Sequence, residues 1–122
     1  MISITKKRTP SNEHYYDFVL VKNDTGVFKA TPKIDGQEYE LQDGDTIDLK
    51  ISKTADGEAL VTIVADADNE IAITDEHSEL LVVGNYYCDI TLNYADGNRD
   101  TFIKIPSSNG SAISNFHIVY GV

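Results

Sequence analysis

The chain has 122 residues, 41% of them hydrophobic, which is enough to form the core of one domain spanning residues 1–122. Ten Lys and Arg against 20 Asp and Glu give a net charge of −10, which disfavours binding to the phosphate backbone of a nucleic acid. No stretch approaches the roughly 20 apolar residues of a membrane-spanning helix, so no membrane partner is expected.

Apolar and polar residues alternate along most of the chain, which is typical of strands with one buried face. The alternation predicts, in chain order, the strands 15–22, 46–51, 59–65, 86–94, 100–105 and 112–120. In the longest strand, Ile90 and Leu92 are expected to be buried in the core, while Asp89 and Thr91 point the other way.

Turn-forming residues separate these strands at short intervals. The Asp96-Gly97 pair predicts a hairpin between 86–94 and 100–105, and Asp56-Gly57 predicts another after 46–51. Thr74 followed by His77 resembles a capping box and predicts at most one short helical turn near residues 75–82. The sequence therefore predicts an all-β fold, an antiparallel, immunoglobulin-like β-sandwich of about seven to nine strands.

Residue types needed for catalysis occur without the spacing that catalysis requires. Cys88 is the only cysteine, which excludes an intrachain disulfide and a cysteine-rich zinc site, and its position between apolar residues predicts a buried thiol. The three histidines lack metal-binding spacing, and no nucleophile-elbow motif is present. We expect no enzymatic activity and no cofactor. A weak hydrolase is the least favoured hypothesis.

Three carboxylates form a weak candidate metal site. Asp66, Asp68 and Glu70 have the alternate spacing that a cation-binding loop uses, but the segment lacks the remaining ligands of an EF-hand. Turn formation is the favoured interpretation of this segment, with a weak cation site as the alternative.

Aromatic residues outside the predicted core are candidates for protein–protein contact. Tyr15 and Tyr87 fall on the polar faces of their strands, where tyrosine either packs across the sheet or lies in an interface. Phe116 and Tyr120, in the last strand, are further interface candidates.

Charge is distributed unevenly along the chain. Residues 1–33 carry six basic and three acidic residues, residues 35–100 carry three basic and seventeen acidic, and residues 101–122 carry one basic residue, giving +3, −14 and +1. Self-association or docking is therefore expected through Met1–Lys7 or Ser111–Val122, where a second copy is repelled least.

The segment Gly44–Ile105, about half the chain, resembles small β-sandwich domains in tail and baseplate proteins of siphophages, most of all the N-terminal domain of upper baseplate proteins. The residues that carry the resemblance are Gly44-Asp45-Thr46, Leu80-Leu81, Gly84, Tyr86, Asp89-Ile90 and Asp96-Gly97. Cys88 departs from the pattern, which favours an aromatic residue there.

The resemblance implies a non-enzymatic virion structural protein of a phage or prophage, a tail or baseplate assembly module whose partners are other tail proteins or further copies of itself. It implies a location in the virion after assembly in the host cytoplasm. A second departure from the family is the lack of a partner-binding segment downstream, from which we expect a small stand-alone virion or prophage protein, or an accessory factor. Residues 1–16 lack the apolar stretch of a secretory signal peptide, which agrees with synthesis in the cytoplasm and leaves a bacterial cytoplasmic protein as the alternative. The alternative function is a carbohydrate- or surface-binding β-sandwich module of the bacterium itself.

Overall fold

A computed structural model describes residues 1–121, and only Val122, the last residue of the expected contact segment Ser111–Val122, lies outside the described residues. Within residues 1–121 the chain forms thirteen strands and one helix of five residues. Nine of the strands have four or more residues, and they are β1 (Ile2–Arg8), β2 (His14–Val21), β3 (Gly26–Lys29), β6 (Thr46–Ser52), β7 (Ala59–Val64), β8 (Glu70–Ile73), β9 (Gly84–Asn93), β10 (Arg99–Ile103) and β13 (Phe116–Val119). The other elements are β4 (Lys33–Ile34), β5 (Gln37–Glu38), β11 (Ser107–Ser108), β12 (Ser111–Ala112) and α1 (Asp75–Glu79).

Seven strands form the main sheet, in the order β1-β2-β13-β9-β6-β7, with β10 also paired to β9. The inner face of this sheet carries the alternate apolar residues of its central strands, and β3 and β8 form a small second sheet. The predicted all-β, sandwich-like fold is confirmed. One pair differs from the expected antiparallel arrangement, because β13 runs parallel to β2 and makes the main sheet mixed.

The buried apolar residues form one cluster, and the strand alternation explains its membership. β9 contributes Tyr86, Cys88, Ile90 and Leu92 from one face, as predicted. The full buried set is Phe18, Leu20, Ala30, Ile47, Leu49, Ile51, Val61, Ile63, Ile71, Ile73, Leu81, Tyr86, Cys88, Ile90, Leu92, Phe116 and Ile118.

Two predicted details of the fold are settled by local contacts. The short helix α1 forms where expected, and the Nδ1 atom of His77 accepts the Thr74 N–H at 3.0 Å, so histidine takes the place of the usual glutamate in the capping box. Thr91 points away from the core, as predicted. Its side chain lies on the outer face, but the residue is only 7% exposed, and its hydroxyl pairs with that of Thr101 at 3.0 Å across the β9–β10 ladder.

The strand position between β2 and β9 in the main sheet is occupied by two different strands, β10 and β13. We call the strip between β2 and β9 the central lane. β13 occupies one half of the lane and pairs with both β2 and β9, whereas β10 pairs with β9 opposite residues 90–93. Between them, residues 104–114 leave the lane and form the β11–β12 hairpin.

Asn115 closes the gap where the chain re-enters the lane. Its side-chain Oδ1 accepts the Cys88 N–H at 2.8 Å, and its Nδ2 donates to the Cys88 carbonyl at 2.9 Å. The side chain thus replaces a peptide group of a neighbouring strand. The backbone of Asn115 bonds to both flanking strands, since its N–H donates to Tyr86 and its carbonyl accepts from Phe18. Asn115 is 0% exposed, so water cannot take over these bonds.

We predict that Asn115→Ala lowers the free energy of unfolding by about 2–4 kcal/mol, because it leaves both backbone groups of Cys88 buried without partners. Urea unfolding measures the loss. The matched control is Asn93→Ala on β9, where the amide makes only a 3.4 Å contact with Thr46, and the expected cost is about 0.5 kcal/mol or less. Equal losses for the two variants would contradict the role assigned to Asn115.

Candidate functional site

A groove opens beside β2 because the central lane is filled over only half of that strand. β13 begins to pair with β2 at Phe18, and residues 14–17 of β2 have no strand partner on the lane side among residues 1–121. Across the opening lies the end of β10, whose Phe102 and Ile103 line the same cavities as Tyr16. We call this feature the β2–β10 groove.

The groove consists of two joined cavities of about 260 and 300 Å³, both bordered by Tyr16, Phe102 and Ile103. A third hollow of about 320 Å³ adjoins them at Phe102. The lining combines polar atoms with apolar and aromatic side chains, and its apolar members are Ile4, Tyr16, Phe18, Phe28, Ala30, Pro32, Ile34, Ile90, Leu92, Phe102, Ile103, Ile105 and Pro106.

The backbone of β2 presents free hydrogen-bonding groups to the groove. Successive residues of a strand direct their N–H and C=O groups to opposite sides. Phe18 donates its N–H to Asn115 in the lane, and Lys22 donates to Val119 on the same side. By this alternation the N–H and C=O groups of Tyr16 also point toward the lane, where they meet the groove instead of a strand. The groove therefore offers both apolar side chains and an open strand edge.

Lysines surround the groove although the chain as a whole is acidic. Lys29, Lys33 and Lys104 line the three cavities, against two carboxylates, Glu13 and Asp100. The local balance is therefore +1, compared with −10 for the whole chain. A groove with apolar side chains, an open strand edge and a local positive charge is suited to binding an extended segment that carries apolar and acidic residues.

The four interface candidates differ in their exposure. Tyr15 lines the groove and is half-buried, and Tyr120 is 80% exposed near the end of the chain. Tyr87 is half-buried on the outer face of β9. Phe116 is a correction, because it is 0% exposed and its ring stacks with Phe18 at 6.0 Å inside the core.

Two residues central to the groove were not predicted as surface contacts. Tyr16 shares the core face of β2 with Phe18, but it lies beyond the cover of the second sheet and is 40% exposed. Phe102 follows a hairpin, and no local pattern distinguishes it from a core residue. Only the distant segments packed around these residues make them a groove.

The candidate cation ligands do come together. One oxygen from each of Asp66, Asp68 and Glu70 lies within 4.8 Å of the others, and all three residues are exposed. The Oδ1 atom of Asp66 is already engaged, because it accepts the N–H groups of Asp68 at 2.9 Å and Glu70 at 3.0 Å. Asn69 adopts a φ of 61°, as such a turn requires. The hydrogen bonds of this turn explain why the three carboxylates lie close together.

We predict that calcium or zinc raises the melting temperature of the protein by no more than a degree or two, and that EDTA does not lower it. A site occupied at 100 times its dissociation constant would add about 2.7 kcal/mol of stability, which differential scanning fluorimetry detects readily. A larger rise with calcium that Asp68→Asn abolishes would reinstate the cation site.

A buried carboxylate anchors the outer face of the main sheet. The side chain of Asp17 on β2 is 3% exposed and accepts from Lys7 at 2.9 Å, and its other oxygen pairs with Nε2 of His117 at 2.7 Å. Nδ1 of His117 lies 2.7 Å from Oδ1 of Asn85. With both ring nitrogens engaged, His117 has no free nitrogen to act as a base, so this cluster joins four strands rather than forming a catalytic pair.

Cys88 is also unsuited to chemistry. It is 0% exposed, and burial raises the pKa of its thiol well above the ordinary range, which keeps it protonated. The predicted role of a small buried apolar residue is confirmed.

Two neighbouring carboxylates on the outer face lack partners. The Oδ1 atoms of Asp48 and Asp89 are buried without a hydrogen bond from any residue of 1–121. Burial raises the pKa of Asp89, the nearby Lys50 lowers it and Asp48 raises it further, with a net rise above the ordinary value. The fold therefore disfavours the ionised form of Asp89.

We predict that Asp89→Asn raises the melting temperature at pH 7. Because the folded-state pKa of Asp89 lies above its unfolded value, the native state is penalised at pH values above both, and the penalty disappears as pH falls below about 4. Thermal melts between pH 3 and 7 should thus show the advantage of the variant shrinking at low pH. Asp43→Asn, in an exposed loop, is the control. An advantage of Asp89→Asn that does not change with pH would contradict this prediction.

Comparisons with protein-family models, with curated proteins and with solved structures found no match for this chain. Among residues 1–121, no helix has the length and apolar character needed to cross a membrane.

Proposed function

We propose that this chain is a non-enzymatic assembly module of a phage or prophage tail or baseplate, which binds an extended segment of a neighbouring virion protein in the β2–β10 groove. The observation that carries the proposal is the groove itself, in which an open strand edge, an apolar lining and three lysines occur together. Peptides that add to a sheet edge gain affinity from backbone hydrogen bonds and specificity from alternate side chains in pockets.

Two further observations support this function. The segment Gly44–Ile105, which resembles baseplate domains, spans β6 to β10 and includes the strand pairs β6–β9 and β9–β10 at the centre of the sheet. Two side chains with catalytic potential are engaged elsewhere, with His117 bonded at both nitrogens and Cys88 enclosed in the core, whereas Glu13 and His14 line the groove itself. His117 and Cys88 do not line the β2–β10 groove, which is available for binding a partner.

We predict that the chain is a component of phage or phage-tail particles. After mitomycin C treatment of the bacterium that carries the gene, particles are purified on a density gradient and analysed by mass spectrometry. The chain should sediment with tail proteins in a constant ratio. Its confinement to the soluble fraction, while tail proteins appear in particles, would contradict the proposal. Binding on a glycan array without particle association would favour the carbohydrate-binding module instead.

The groove is tested separately with a synthetic probe, a peptide in which valine or isoleucine alternates with glutamate. We expect it to perturb the amide NMR signals of Tyr16 and Phe102, whereas a peptide with lysine in place of glutamate should not. Lys104→Glu should weaken binding at least about threefold, because it reverses a charge beside the groove.

The matched control is Arg99→Glu, which makes the same charge change at the far end of β10. Equal weakening by the two variants, or binding of the lysine peptide, would show that the groove does not select an acidic segment.

A further inference from the structure

The two edges of the main sheet are unlike each other. The strand at one edge is β1 and the strand at the other is β7, and neither has a strand partner on its outer side among residues 1–121. β1 ends in Lys6, Lys7 and Arg8, and β7 leads into the exposed turn that holds Asp66, Asp68 and Glu70. One edge of the sheet thus ends in basic residues and the other in acidic residues.

The two edge strands run in the same direction. Following the pairings across the sheet, β1 is antiparallel to β2, β2 is parallel to β13, and each step from β13 through β9 and β6 to β7 is antiparallel. If β7 of one copy lies beside β1 of an identically oriented copy, the two strands form a parallel pair and extend the sheet.

The free backbone groups of the two edges match in this arrangement. Phe18 directs its N–H away from β1, so Ile4, its register partner, directs its own N–H and C=O to the free edge. Ala65 donates its N–H to Ile47 of β6, so the alternation along β7 also directs the N–H and C=O groups of Ile63 toward β6. The N–H and C=O groups of Thr62 and Val64 therefore point to the free edge. In a parallel ladder, a residue bonds to the two neighbours of the residue opposite it. Ile4 placed opposite Ile63 therefore meets the free groups of Thr62 and Val64.

The same register brings opposite charges together. With Ile4 opposite Ile63, Lys6 lies opposite Ala65, next to the carboxylate of Asp66. Arg8, at the end of β1, then lies beside the turn that follows β7. Ile4 and Val64, which are 41% and 61% exposed in the single chain, are covered by the contact. Lys6 and Arg8 are both exposed. The Arg8 guanidinium donates to Oδ1 of Asn12 at 2.8 Å, and this exposed hydrogen bond has to open or be shared when Arg8 meets the acidic turn.

We infer that copies of this chain associate head to tail, with β1 of one copy beside β7 of the next. The occupant of each edge is a second copy of this chain, because the basic edge and the acidic edge are complementary in charge, in strand direction and in backbone register. Such a contact joins two different surfaces, so it produces a closed ring or an open filament rather than a two-fold dimer. Ile4 borders the β2–β10 groove as well as the β1 edge, so the two contacts are neighbours. They use different strand edges, because the groove opens beside β2 and self-association uses the outer side of β1.

Charge reversal at one edge at a time tests the inference by sedimentation velocity over a range of concentrations. The wild type should form species larger than a monomer, and salt should weaken them. Lys6→Glu with Arg8→Glu should raise the dissociation constant about tenfold, and so should Asp68→Lys with Glu70→Lys. An equimolar mixture of the two variants should associate again, because each reversed edge then meets a complementary edge.

The control for net charge is Arg99→Glu with Lys53→Glu, which changes the charge by the same amount as the β1 variant but leaves both edges and the groove lining intact. It should associate as the wild type does. A wild type that remains monomeric at the highest concentration, a mixture that fails to associate, or a control that weakens as much as the edge variants would each overturn the inference. Circular dichroism verifies that every variant is folded. If the chain is found in phage particles but the purified wild type is strictly monomeric, the proposed function is retained and the contact between β1 and β7 is rejected.

Discussion

The paired hydrogen bonds between the Asn115 side chain and the Cys88 peptide group hold the main sheet together at its weakest point. The central lane is built from two separate strands, and a segment of eleven residues leaves the sheet between them. At the break, Cys88 would otherwise have an unpaired N–H and C=O in the core. A side-chain amide is the one group that supplies a donor and an acceptor with the geometry of a peptide.

The same break creates the groove. Since the chain leaves the lane after Ile103 and returns only at Asn115, the first half of β2 keeps an open edge, and Tyr16 faces Phe102 and Ile103 across it. A continuous strand there would have paired with β2 and filled the space. The groove is thus a consequence of the sheet topology. The buried amide of Asn115 satisfies the backbone groups of Cys88 that the interruption between β10 and β13 would otherwise leave unpaired.

The sequence predicts local features well and non-local ones poorly. The alternation of Ile47, Leu49 and Ile51, and that of Ile90 and Leu92, correctly identified the buried faces of β6 and β9. The alternation predicted the direction of Thr91 but not its burial, because that burial depends on Thr101 across the β9–β10 ladder. Phe116 was placed at an interface because its position in a terminal strand gave no sign that β2 and β9 enclose it. The role of Asn115, within the predicted strand 112–120, was not foreseen, since the partner that explains it is 27 residues away.

Native-state amide hydrogen exchange tests most directly whether Asn115 closes the lane beside an open groove. The amides of Cys88 and Phe18 are bonded to Asn115, so they should exchange only through global unfolding. The amide of Tyr16, two residues away on the same side of β2, should exchange orders of magnitude faster because it faces the groove. Equal protection of Tyr16 and Phe18 would mean that a strand fills the lane and would contradict the account.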